Sequence, residues 1–201
     1  MANQEHLDIL KQGRDVWNTW RREHREIKPD LSGIDFNVEG DGVLEDSDFE
    51  DINFSDIDFD FFDLLLKISV SDYISRFSGY GLSLLGIDLH GVNLSGSSMR
   101  GLRLLNVDLR SADLSNVNLS DAFLWEADLT ETTFTGADLC DAIFCKVYLN
   151  EAIVDKADLR TTLIQASDLS NTDFSGSRLE EVCFLEVKLN GATFDTITNV
   201  V

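Results

Sequence analysis

Apolar residues recur at every fifth position over more than half of this chain. Stepping by five from Leu84 gives Leu89, Leu94, Met99, Leu104 and Leu109, and the run continues through Phe134, Leu149 and Phe174 to Phe194. All 23 positions are apolar, in a chain that is 43% apolar overall. Chance would give that run with a probability on the order of 10⁻⁹, so the period is real. The position two before each is small or apolar and never charged, as at Ala112, Ala122, Ala127, Ala137 and Ala142. Asp, Asn, Ser, Arg and Gly crowd into the other three positions.

That spacing excludes both regular elements. Residues i−2 and i share a face and i−1 points the other way, as in a strand. A straight strand cannot continue, because five is odd and each new unit would flip its faces. Five residues of α-helix overshoot one turn by about 140°. The chain must therefore turn a corner every five residues. Each side is then a very short strand, and each coil stacks on the last about 4.8 Å away. The aromatic residues indicate the number of sides. Every Phe in the run falls in two sets spaced by twenty, Phe134, Phe174 and Phe194 in one and Phe144 and Phe184 in the other. A four-sided coil of twenty residues satisfies this, with Phe on two opposite sides.

Units such as Ala112-Asp113-Leu114-Ser115-Asn116, Ala127-Asp128-Leu129-Thr130-Glu131 and Ala137-Asp138-Leu139-Cys140-Asp141 resemble the A(D/N)LXX repeat of the pentapeptide-repeat family. The resemblance spans residues 82–196, 115 residues in 23 units of five. It implies an all-β solenoid, a right-handed quadrilateral β-helix, with no catalytic activity of its own.

Ahead of the regular run, Leu7, Leu10, Trp17, Trp20, His24 and Ile27 have helical spacing, which predicts one amphipathic helix over 4–28 that Pro29 ends. Its expected role is to cap the open first coil. The stretch LKQGRDVWNTWR followed by PDLSG resembles the opening of cyanobacterial members of the family. Residues 29–66 read as a first, acidic repeat run centred on Leu31 and Phe36, then, after a slip at Glu39-Gly40-Asp41, on Leu44, Phe49, Phe54, Phe59 and Leu64. Residues 41–66 hold ten acids and no Lys or Arg. Residues 67–81 break the pattern, since continued register would turn Lys67 and Asp72 inward. Because Leu64 and Leu84 are twenty apart, either one distorted coil or an excursion from it is expected there.

The formal charge of −21 argues against direct nucleic-acid binding and against anionic membranes, and in favour of neutral or basic protein partners. No run is apolar enough to span a membrane, and no secretory leader is legible, so the cytoplasm is the expected location. Cys140, Cys145 and Cys183 read as free thiols. No metal-ligand cluster, phosphate-binding loop or nucleophile–base spacing is present, so neither cofactor nor small-molecule substrate is expected and the chain reads as a non-enzyme. Asp88, Asp108, Asp128 and Asp168 stack at the outward i−1 position and match the D/N of the repeat.

One side differs from the other three. Around the core residues Leu104, Leu124, Phe144, Ile164 and Phe184, the outward positions carry Leu105, Phe123, Trp125, Ile143, Cys145, Leu163, Cys183 and Leu185. A contiguous apolar ladder of this kind predicts a protein contact, through self-association or with another protein, unless the N-terminal helix or the 67–81 segment folds over it. The expected function is a non-catalytic protein-binding scaffold. The alternative is a DNA-mimicking binder of gyrase or another topoisomerase, since some family members resemble a duplex in shape and charge. Those relatives dimerise through a segment beyond the repeats, whereas five residues follow the last unit here.

The inward–outward assignment has a direct consequence. Leu129→Asp puts a charge between stacked coils and should unfold the domain, whereas Asp128→Asn should be nearly silent. Thermal melts of the two variants are expected to differ widely, and equal melting points would refute the assignment.

Overall fold

Corners are where this backbone is most constrained. Every fifth residue from Gly86 to Gly191 has a positive φ. Some are Gly, but Asn116, Glu131, Lys146, Thr161 and Ala166 hold the same left-handed conformation, which costs a non-Gly residue roughly 1–2 kcal/mol. Where i−1 is Asp or Asn, its side chain helps to fold the corner. The Asp113 carboxylate accepts from the Ser115 amide at 2.9 Å, and Asp128 accepts from the Thr130 amide at 3.1 Å and the Thr130 hydroxyl at 2.6 Å. The repeated acid is thus a turn-building group, satisfied by its own chain two residues on.

A computed structural model describes residues 1–36 and 83–195 of the chain. It is a parallel β-solenoid of about five turns with two N-terminal helices. One side consists of the three-residue strands β1 (Ser83–Leu85), β2 (Arg103–Leu105), β3 (Phe123–Trp125), β4 (Ile143–Cys145), β5 (Leu163–Gln165) and β6 (Cys183–Leu185), paired in chain order. The other three sides touch through single-residue bridges, again offset by twenty, as in Asp88–Asp108–Asp128, Asn93–Asp113–Thr133 and Ser98–Asn118–Asp138. Leu89 and Leu109, which follow the bridged Asp88 and Asp108, therefore lie on the same side, as a four-sided coil requires. The ladder runs both ways. Leu129 N–H donates to Tyr148 O in the next coil at 2.7 Å, and Asp128 N–H donates to Val107 O in the previous coil at 3.0 Å.

The interior is filled by the i and i−2 residues. Leu89, Leu109, Leu129, Phe134 and Phe144 are buried on the axis with Ala122, Ala127 and Ala142 beside them. Where Thr replaces Ala its hydroxyl is satisfied by a carbonyl of the coil below. Thr132 donates to Leu109 O at 2.9 Å, Thr162 to Leu139 O at 2.8 Å and Thr172 to Leu149 O at 2.8 Å. Such pairing is what allows a hydroxyl in a core of this kind.

The N-terminal end is closed in two ways. The single helix expected over 4–28 is in fact two, α1 (Gln4–Leu10) and α2 (Arg14–Glu23). Gly13, at φ 96° and ψ 168°, interrupts them. Leu10 of α1 and Trp17 of α2 both enter the core. Side chains of α2 then satisfy the open edge of two sides of the first coil. Trp17 donates its indole N–H to Asp88 O at 2.6 Å, Asn18 donates to Gly86 O at 2.9 Å and accepts from Asp88 N–H at 2.9 Å, and Arg14 reaches Leu85 O at 3.5 Å. Arg21, buried, donates to His90 O and, at 2.9 Å, to Ile27 O, with its Nε 3.9 Å from the Asp88 carboxylate.

The other two sides are closed by backbone. Asp30 bridges Asn93 and Asp35 bridges Ser98, an offset of 63 in each case instead of 20. Leu31 N–H donates to Asn93 O at 2.7 Å and Asn93 N–H donates to Pro29 O at 2.8 Å. Residues 29–36 thus close two sides of the first coil and α2 the edge of the others. The acidic run beyond Phe36 and the irregular stretch 67–81 lie outside the described residues.

Carboxylates that link coils make the fold sensitive to acid. Asp158 is held below the usual carboxylate range by the Arg160 guanidinium 2.8 Å away. Asp168 is lowered to about 2 by the Ser170 hydroxyl, against an opposing effect of burial, with Lys188 at 3.1 Å adding to it. A depressed folded-state pKa stabilises the fold above the unfolded value, and that contribution is lost as pH falls through the folded value. The melting temperature is expected to fall between about pH 4 and pH 2. Asp168→Asn should melt lower at neutral pH and lose less across that window; an identical pH profile for the two proteins would refute the linkage.

Candidate interaction face

β2 to β5 carry their central residue inward and both flanking residues outward. Register stacks the first outward positions as Arg103, Phe123, Ile143, Leu163 and Cys183, and the second as Leu85, Leu105, Trp125, Cys145, Gln165 and Leu185. Leu105, Phe123, Trp125, Cys145 and Leu163 form one apolar cluster, separate from the axial core, with Leu85 and Ile143 packed against it. The Phe123 and Trp125 rings lie 6.2 Å apart at 40°. Lys146 places its ammonium 4.4 Å from the Trp125 ring centroid, a cation–π contact, and 3.7 Å from the Glu126 carboxylate. The sequence reading groups Cys183 and Leu185 with this set, but they lie on the last coil, outside the cluster. It does not include Leu85, whose place beside Leu84 at the start of the run was the available signal, or Lys146, which sits at a corner and enters by reach alone.

These side chains point away from the axis, yet they are not open to solvent. Phe123 is 3% exposed, Trp125 7%, Cys145 2% and Leu163 7%. Equivalent outward positions on the opposite side, Asp113, Thr133, Asp173, Ser115 and Ser175, are all partly exposed, and Ile153 is 44% exposed. Stacking between coils alone therefore does not bury an outward residue. Of the outward residues expected to make a protein contact, Leu105, Phe123, Trp125, Cys145 and Leu163 are thus buried. Ile143 and Leu185 are half-buried and Cys183 is exposed. Burial pushes the Cys145 thiol up to about 11, and burial together with Asp158 and Asp138 pushes Cys140 up to about 12, so neither is an activated nucleophile.

Other groups offer little chemistry. Among the described residues no cluster of His, Cys, Asp and Glu could hold a metal ion, and no helix is long and apolar enough to cross a membrane. His6 Nδ1 accepts from Asp30 N–H at 3.0 Å and His24 Nδ1 lies 2.9 Å from Trp20 O, so both serve the cap. A groove beside the apolar side is lined by Glu126, Lys146, Tyr148, Asp168 and Lys188. Four of its charged groups pair, Lys146 with Glu126 at 3.7 Å and Lys188 with Asp168 at 3.1 Å.

The profile of pentapeptide repeats matches residues 87–125, 126–160 and 162–195 in eight copies, more than half of the chain. The chain belongs to the pentapeptide-repeat family. Solved structures of family members are similar to it. One is a pentapeptide-repeat protein of the Arabidopsis thaliana thylakoid lumen, 26% identical, matched over 54% of this chain and 68% of that one with a TM-score of 0.38. A second is Rfr23 from the cyanobacterium Cyanothece 51142, 18% identical over 89% of this chain and 97% of that one, TM-score 0.29. A third is trypsin-treated QnrB1, a plasmid-mediated fluoroquinolone resistance protein, 15% identical over 58% and 91%, TM-score 0.26. No curated protein matches in sequence. Pentapeptide-repeat membership accounts for the coil and the turn-building acids; Phe123 stands where the repeat has Asp or Asn, and Trp125 at one of its variable positions.

Burial of Phe123 and Trp125 makes them structural. Phe123→Ser with Trp125→Ser is expected to lower stability by about 3 kcal/mol or more, as large-to-small changes in packed sites do. Urea denaturation measures it, and a double variant as stable as the parent would mean the side is bare.

Proposed function

We propose that this chain is a non-catalytic protein-binding scaffold that meets its partner along the apolar side. The observation that carries this reading is the confinement of a contiguous apolar cluster to one of four outer sides of a chain with a formal charge of −21. Apolar area gathered in one place is characteristic of interfaces, and acids elsewhere favour a neutral or basic partner. The part left for a partner is the C-terminal margin, where Cys183 is exposed and Leu185 half-buried. The solenoid interior is filled, so it holds no substrate cleft. The reading places the protein in the cytoplasm, where its thiols stay reduced.

The charge also favours a second reading, electrostatic mimicry of DNA toward gyrase or a related topoisomerase. Such binding would weaken steeply with salt. Under the scaffold reading, Cys183→Arg with Leu185→Glu leaves the melt within about 1 kcal/mol of the parent but abolishes dimerisation in light scattering or capture of the native partner. Retention of either association in the double variant would exclude this margin. Under the same reading the protein has little effect in a supercoiling assay at physiological salt, and potent inhibition there would favour the mimic instead.

A further inference from the structure

Three of the four sides keep their outward i−1 position for polar residues. From Asp88 to Thr193 they hold Asp, Asn, Ser, Thr, Arg or Lys there, except at Tyr148 and Ile153. The two exceptions are consecutive units of one coil, on adjacent sides, with the corner of Asn150 and Glu151 between them. Unlike the buried aromatics of the apolar side, both are open, Tyr148 at 54% and Ile153 at 44%. Leu189 and Phe194 are also exposed, but they occupy inward positions in the last described coil.

Each exception costs the fold a hydrogen bond. Every Asp and Asn at i−1 from Asp88 to Asp173 accepts from the amide two residues on, as Asp168 does from Ser170 at 3.1 Å and Asp173 from Ser175 at 3.0 Å. The same rule would pair the amides of Asn150 and Asp155. Tyr148 and Ile153 offer them no acceptor, and among the described residues neither amide meets another. Both corners still take the left-handed conformation, with φ 60° at Glu151 and 54° at Lys156. Positions that break a local rule while leaving so much of the side chain in water are where function is expected.

The surroundings define what could dock there. Tyr148 is bridged to Asp128 on one side and Asp168 on the other, and Ile153 to Thr133 and Asp173. The corner column between them carries Glu131 and Glu151, both exposed and, among the described residues, neither in an ion pair. Lys146 and Lys188, in the groove beside Tyr148, are already paired with Glu126 and Asp168. Charge complementarity therefore selects a cationic occupant. The open Ile selects one with an apolar side chain, and the face of a Tyr ring takes a guanidinium. We propose that Tyr148 and Ile153, with Glu131 and Glu151 between them, are a docking site for a basic peptide segment of another protein. Its apolar side chain meets Ile153, a guanidinium lies over Tyr148 and its cations face the two glutamates. This is a second surface, apart from the margin at Cys183 and Leu185, and it stands or falls separately.

The experiment uses the full chain and a short fluorescein-labelled peptide of alternating Arg and Leu, read by fluorescence anisotropy at physiological salt. Peptides of alternating Glu and Leu and of alternating Arg and Ser are the controls. The Arg–Leu peptide is expected to bind at least about tenfold more tightly than either. Tyr148→Asn with Ile153→Asn keeps the formal charge and gives each corner the acceptor it lacks. The double variant should therefore melt at or above the parent, while its affinity for the Arg–Leu peptide falls at least about tenfold. Tyr148→Phe keeps the ring and should keep the affinity within about twofold. Cys183→Arg with Leu185→Glu should leave the peptide bound, which separates failure here from failure at the margin. No binding to the parent, equal binding of the Arg–Ser peptide, or full affinity in the double variant overturns the proposal. A double variant that melts well below the parent also overturns it, since the two side chains would then serve packing.

Discussion

Everything in this rod depends on the coil-to-coil backbone ladder. Each side is too short to be stable as a strand, and each gains its partners only when the coil above and the coil below are in register. That requirement explains the corner at every fifth residue, the left-handed φ that repeats from Gly86 to Gly191 and the absence of any strand longer than three residues among those described. The turn-building Asp residues stabilise the corner locally, but a corner placed one residue late would send the next Leu outward and an acid inward. Local turn chemistry and long-range packing therefore agree, and agreement of that kind is what makes a sequence specify one structure.

The regular coils were legible because their signal is repeated 23 times. Leu129, Ala127 and Asp128 can each be read from any neighbouring unit. The cap was only partly legible. Helical spacing of Leu7, Leu10, Trp17 and Trp20 points to an apolar face, but a period count averages over Gly13, and it is the 96° φ of that one residue that divides α1 from α2. The bridge from Asp30 to Asn93 was hidden for another reason. An offset of 63 breaks the twenty-residue rule, and no local pattern reports which coil edge a spare repeat will join.

The apolar side shows the same limit from the opposite direction. Spacing alone was enough to gather Phe123, Trp125, Cys145 and Leu163 on one face, since residues twenty apart must stack. Pattern says which way a side chain points and nothing about what lies over it. The burial of Phe123 and the partial exposure of Thr133 differ for residues in equivalent places, and that difference belongs to tertiary packing. Lys146 above Trp125 is a case of the same kind, because a long side chain at a corner serves whichever side it can reach.

The cap bears on the order in which the molecule assembles as it is made. Helix α2 and residues 29–36 leave the ribosome first, but the carbonyls and amides they satisfy belong to Leu85, Gly86, Asp88, His90, Asn93 and Ser98. At synthesis rates of 5–20 residues per second, the interval between the two is on the order of 3–12 s. Throughout that time Trp17 and Leu31 have no coil to sit on. The closing layer of one end thus becomes structured only after a later part of the chain has emerged, and growth of the rod at that end proceeds backward along the sequence.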